Sequence, residues 1–313
     1  MSPSEERDVI ERFERQRARA PRWQWLGQAA AAVLLVGACQ GDADGAGEHT
    51  GHDGDGGHGT DSGGAEMAHI HGLGINPADD ELYVATHFGV FHLPEGEQPV
   101  RVAGHTQDVM GFTIVGPDHF LASGHPGADD PDQQPHLGLI ESTDAAVSWE
   151  PVSLHGDADF HALEAAHGQV YGFDGVTGRF MVSADQREWE PRSDVPMADI
   201  AVSPEDPDLL VATTEQGPVR SDDGGNELTP VSGAPPLLFL DWRDSGSLVG
   251  VGTEGTVHTS TDGGDTWTEG DTVDGDAAAL TAHGDNEVYV ATDTAIYHST
   301  DGGESFGVFH ELG

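Results

Sequence analysis

Two short runs carry reactive side chains at strand spacing: His69-Ile-His71 and Asp159-Phe-His161. Residues two apart in a strand point the same way, so each run can present both of its groups to one surface. Asp108-Val-Met110 repeats the arrangement with a carboxylate and a thioether. Histidine is spread unevenly. Of the 18 in the chain, eleven fall between His69 and His167, and only His258, His283, His298 and His310 follow. Imidazole with carboxylate suits zinc, copper, nickel or iron, and a thioether leans towards copper. The expected metal ligands are His69, His71, His87, His125 and His161, with copper or zinc as the cofactor. The same region also offers acid/base chemistry, with Asp108, Asp159 and His161 as the catalytic candidates and His71 assisting. His92, His105, His119, His155 and His167 read as ordinary hydrogen-bonded or surface histidines.

A repeated turn decides what positions these groups. Ser142-Thr-Asp144, Ser183-Ala-Asp185, Ser221-Asp-Asp223, Ser260-Thr-Asp262 and Ser299-Thr-Asp301 each open a short turn that leads into a new apolar segment. Trp149, Trp189, Trp267 and Phe306 follow four of them. A period near forty residues, built from short strands, marks the blades of a β-propeller. The turn resembles the Asp-box, also called the BNR repeat, and the fourth copy (Ser260 to Trp267) matches it fully. An Asp side chain can accept hydrogen bonds from backbone N–H groups ahead of it and so close a tight turn. Asp144, Asp185, Asp223, Asp262 and Asp301 are therefore read as structural.

Each repeat divides into four strands, A to D from the channel outwards. In the third repeat they are expected at Asp159–Ala165, Gln169–Phe173, Gly178–Ser183 and Glu188–Pro191. A further unit without the turn motif fits Ala68–Ala103, with strands at His69–Ile75, Glu81–Ala85, Gly89–Leu93 and Val100–Ala103. The fold class is thus all-β: a six-bladed propeller with Asp-box turns between strands C and D. Antiparallel alternation puts the starts of the A strands and the B–C loops at one end of the ring, opposite the Ser-x-Asp turns. His69, His71, Asp108, Asp159, His161 and Asp199 sit on A-strand starts. His87, His125, His136, Asp174 and Glu215 sit on B–C loops. The loop Gly124–His136 is longer than its counterparts, as binding loops on rigid scaffolds often are. The sequence shows no strand exchange between the ends of the ring, so the mode of closure is open.

The remaining features concern placement. Residues 1–39 read as a targeting segment: six arginines from Arg7 to Arg22, an apolar stretch to Ala38, then Cys39, the only cysteine. The small residues before Cys39 resemble a bacterial lipobox, which makes Cys39 the expected lipidation site; an uncleaved membrane anchor is the alternative. Either one places residues 67–313, the propeller, outside the cytoplasm and against the cell membrane. Residues 40–66 are rich in Gly, Asp and His and read as a flexible tether. The net charge is −44 and lysine is absent, a balance that excludes nucleic acid as a partner.

His69-Ile-His-Gly-Leu-Gly-Ile-Asn-Pro77, Leu82-Tyr-Val-Ala-Thr-His-Phe-Gly-Val90, Ser123-Gly-His-Pro-Gly127 and Asp159-Phe-His161 resemble a family of bacterial Asp-box lipoproteins labelled glycosyl hydrolase or sialidase-like. The resemblance spans about Ala68 to Gly313. It implies a glycosyl-hydrolase-like or carbohydrate-binding role for the propeller, with a glycan as partner. Sialidases use three arginines to clamp a carboxylate, and here only Arg179 is placed near the histidine-bearing face, so the usual sialidase activity is not expected. Two other functional readings stand beside the hydrolase: a metal-binding module without hydrolase activity, and a non-catalytic scaffold for another envelope protein.

Overall fold

The computed structural model describes residue 67 and residues 69–127, 134–243 and 246–312. The targeting and tether segments, Cys39 and the tip of the Gly124–His136 loop lie outside the described residues. Six four-stranded antiparallel sheets follow one another, each built from four consecutive strands. The chain is a six-bladed β-propeller.

The innermost strands are Ile70–Asn76, Asp108–Gly116, Phe160–Ala166, Asp199–Val202, Leu237–Trp242 and Ala277–His283. Their composition explains their position. Small residues such as Gly72, Gly74 and Gly111 let neighbouring strands converge on the axis. Apolar side chains on the flanks fill the space between blades, as Phe112, Phe120 and Ile140 do with Tyr83 and Val90 between the first two blades. The strands of the third blade fall within about two residues of those expected, at Phe160–Ala166, Gln169–Asp174, Arg179–Ser183 and Glu190–Ser193.

Local hydrogen bonds form the five Ser-x-Asp turns between the third and fourth strands. Ser260 Oγ donates to Asp262 Oδ1 (2.8 Å) and accepts from the buried Gly264 N–H (2.9 Å). Asp262 accepts from both the backbone and the hydroxyl of Thr266 (2.8 and 2.6 Å). Those donors hold the Asp262 carboxyl down at about 2, and Ser305 and Ser299 do the same for Asp301. In the shortened copy the Ser183–Asp185 bond lengthens to 3.4 Å, while Asp185 Oδ1 still accepts from the Arg187 and Glu188 N–H groups (2.9 and 2.8 Å). The aromatics beyond the turns pack between blades; Trp189 stacks on Phe160 with ring centroids 4.5 Å apart.

The ring closes without strand exchange. Met67, Ile70, Leu73 and Ile75 from one end of the chain bury against Ala279, Tyr289, Ala291 and Ile296 from the other, with Phe309 and Leu312 alongside. The two edge blades thus join through a shared apolar cluster.

Candidate functional site

The expected convergence at one mouth of the ring occurs, and it centres on two aspartates. Asp108 opens the innermost strand of blade two, and three imidazoles surround it: His71 from strand Ile70–Asn76, His87 from the turn after Thr86, and His125 from the end of strand His119–His125. His87 Nδ1 lies 2.8 Å from Asp108 Oδ2, His71 Nε2 lies 3.4 Å from Oδ1, and His125 Nδ1 lies 3.6 Å from Oδ2. Asp159, just before the innermost strand of blade three, is the second centre. Its Oδ2 lies 3.3 Å from His125 Nε2 and 2.8 Å from His161 Nε2. Two sets of potential ligands result, His71–His87–Asp108 and His125–His136–Asp159, each with its atoms within 4.8 Å of one another.

The supporting shell is equally specific. Asp174 is buried and its Oδ1 accepts the Asp159 backbone N–H at 2.9 Å, while its Oδ2 accepts from Thr177. Asp174, expected at this face, therefore anchors Asp159 rather than facing a ligand. Gly124 precedes His125 with φ +145, and a Cβ there would lie 2.0 Å from the Asp108 carbonyl oxygen. Only glycine allows the two strands to approach this closely. Gly175 makes room for the His161 ring in the same way: an added Cβ would fall 2.8 Å from His161 Nε2.

Electrostatics follow from this geometry. Burial alone would raise the Asp108 carboxyl, but hydrogen bonding to His125 and His71 and the charge of His87 outweigh it and hold the group well below its ordinary value. His125 is raised by its bond to Asp108, against desolvation and with help from Asp159. Several buried atoms in the cluster are poorly satisfied among the described residues: His136 Nδ1 and Asp159 Oδ1 have no hydrogen bond, and His71 Nε2 and Asp108 Oδ1 meet only each other, 3.4 Å apart. The Asp159 side chain is only 6% exposed. An unsatisfied buried polar atom costs about 1–3 kcal/mol, so a cluster of them calls for a ligand that satisfies several at once.

His71, His87, His125 and His161 thus gather with Asp108 and Asp159. His69 does not join the ligand sets. Its ring sits 6.1 Å from that of His87 and the residue is exposed, because its φ of 61 and a register shift between Ile70 and Gly72 break the two-residue alternation on which the H-x-H reading relied. His136 enters in its place, carried in by the end of the long loop. Glu215 remains at the surface, its carboxylate bonded to Gln216. Below the mouth, a channel cavity of about 340 Å³ is lined by His71, His161 and Met110 and by three carboxylates, Glu164, Asp199 and Asp241. Burial pushes all three up, Asp199 to about 7. Asp199 and Asp241 also staple blades together, accepting from Leu240 N (2.8 Å) and Ala282 N (2.7 Å). Sequence reasoning passed over Glu164 and Asp241, which sit within strands rather than at their starts.

Fold and site together define a six-bladed propeller with a histidine–carboxylate cluster at one mouth. No family model and no curated protein matches the chain. Among solved structures, it is similar to a gluconolactonase from Xanthomonas campestris (TM-score 0.61, 12% identity, covering 75% of this chain and 87% of that one). It is also similar to a chain of a nidogen/laminin complex (0.57, 13%, 74% and 93%) and to a virginiamycin B lyase from Staphylococcus aureus (0.52, 12%, 78% and 85%). At these identities the likeness is one of fold.

Proposed function

We propose that the protein is a transition-metal-binding propeller that holds zinc or copper at the mouth formed by blades one to three. One observation carries the reading: two adjoining sets of imidazole and carboxylate atoms, His71–His87–Asp108 and His125–His136–Asp159, each gathered within 4.8 Å. At zinc–nitrogen distances of about 2.0–2.1 Å, neighbouring ligands on a tetrahedron stand roughly 3.3 Å apart. Around Asp108 and Asp159 the separations of His71 (3.4 Å) and His125 (3.6 and 3.3 Å) fall close to that edge length, while His87 stands closer, 2.8 Å from Asp108. His161 and Asp174 take the outer role of orienting Asp159. The acidic surface draws cations towards the mouth.

Asp108 and Asp159 are also the acid/base pair that a glycosyl-hydrolase-like or carbohydrate-binding role would use. Metal ligation accounts better for Asp108, which stays ionised near neutrality and has no proton to donate. The leader and Cys39 support a lipoprotein held at the cell membrane, with the metal site facing the extracytoplasmic space.

Thermal unfolding of tag-free protein with added zinc or copper tests the reading. A ligand at 100 times its Kd stabilises by about 2.7 kcal/mol. The melting temperature is expected to rise by several degrees in wild type and much less in His71→Ala. Equal shifts in both proteins, or none in either, would overturn it.

A further inference from the structure

His125 differs from the other histidines of the cluster in offering both ring nitrogens. Its Nδ1 faces Asp108 (3.6 Å) and its Nε2 faces Asp159 (3.3 Å). His71 and His87 both turn towards Asp108, and the contacts of His161 in this cluster run to Asp159. His136 packs its ring 5.4 Å from that of His125, on the Asp159 side. His125 thus belongs to the second ligand set and also faces Asp108 of the first, and it is held between them by a glycine at which any side chain would collide with Asp108.

We propose that His125 bridges two transition-metal ions through its two ring nitrogens, one ion held with His71, His87 and Asp108 and the other with His136 and Asp159. The proposal rests on the metal-binding reading and goes beyond it in stoichiometry and in coupling. No electron transfer is involved: when the second ion binds, the remaining ring N–H proton passes to solvent and the nitrogen lone pair forms the new metal bond. Metal binding to deprotonated ligands releases protons in this way generally. Two divalent ions balance against two carboxylates and the bridging imidazolate, leaving about one residual positive charge, with Glu164, Asp199 and Asp241 in the channel below. Buried atoms on both sides of the bridge are poorly satisfied: Asp108 Oδ1 and His71 Nε2 face each other at 3.4 Å without a well-formed hydrogen bond, and Asp159 Oδ1 and His136 Nδ1 have no hydrogen bond among the described residues, so a single ion would leave one side unsatisfied.

The test is a copper(II) titration of the full chain by equilibrium dialysis, with electron paramagnetic resonance spin counting at saturation. His49, His52 and His58 are first replaced by Ala so that the tether contributes no imidazoles. The expected result is two copper ions per chain with an integrated signal well below two spins, because exchange through a shared imidazolate couples them. In His125→Ala, any copper still bound should give its full spin count. Saturation at one copper overturns the proposal but leaves the metal-binding reading intact, as do two coppers with a full two-spin signal. No copper bound overturns both. Should His125→Ala fail to fold by circular dichroism, the copper and spin counts of the chain carrying His125 decide the matter alone.

Discussion

The channel carboxylate Asp199 gives a prediction whose sign and size both follow from the structure. Its side chain is part-buried, accepts from Ile200 N (3.0 Å) and Leu240 N (2.8 Å), and is pushed by burial from 3.8 to about 7. Between those values the folded chain binds a proton at Asp199 that the unfolded chain does not. Stability must therefore fall as pH rises from about 4 to about 7. The full shift corresponds to roughly 4 kcal/mol at about 1.4 kcal/mol per unit. Water in the channel screens a group that is not fully enclosed, so roughly 2 kcal/mol is the working figure. Asp199→Asn removes the titration and keeps an oxygen for Leu240 N, but its amide nitrogen meets the Ile200 N–H that Asp199 Oδ1 accepts, a loss that is the same at every pH. The melting temperature of the variant relative to wild type should therefore be about 4–8 °C greater at pH 8 than at pH 4.5. Thermal melts followed by circular dichroism across that range are the assay, with Glu164 and Asp241 unchanged as the other groups raised in the channel. A difference between variant and wild type that is the same at both ends of the range would show that Asp199 does not titrate in this way.

Other outcomes are equally definite. Ser260→Ala removes the acceptor of the buried Gly264 N–H and should cost about 1–3 kcal/mol in chemical denaturation while leaving metal affinity unchanged, since the turn lies at the opposite end of the ring. Gly124→Ala drives a Cβ into the Asp108 carbonyl at 2.0 Å and should weaken zinc or copper binding at least tenfold by calorimetry, through displacement of His125 rather than loss of a ligand. Asp108→Asn keeps the shape but removes the charge facing three imidazoles; it should weaken metal binding at least tenfold and lower the pH at which His125 titrates by NMR.

Much of this architecture was legible because its determinants are local. The Ser-x-Asp turn is made by hydrogen bonds within five residues, as at Ser260 to Gly264, so its recurrence marks the blades without knowledge of tertiary contacts. Antiparallel alternation then puts Asp108, Asp159 and the B–C histidines at one mouth. What failed was finer than strand alternation. A register shift beside His71 and a left-handed backbone at His69 left the His69 side chain exposed and outside the ligand sets. The contribution of His136 depends on how a long insertion returns to its blade, which spacing does not encode. Glu164 and Asp241 act mid-strand, where they read as ordinary polar positions, and their perturbation arises only when six strands enclose a channel. Ring closure was likewise hidden, since it is made by apolar faces at the two ends of the domain rather than by a shared strand.

Whether the mouth holds metal is decided by elemental analysis of the full chain, expressed without an affinity tag and dialysed against metal-free buffer. Zinc or copper should be retained at one to two equivalents, with a marked loss of it in His71→Ala and Asp159→Ala proteins that remain folded. Wild-type protein that emerges metal-free, and takes up neither ion when each is supplied, would contradict metal binding at the mouth.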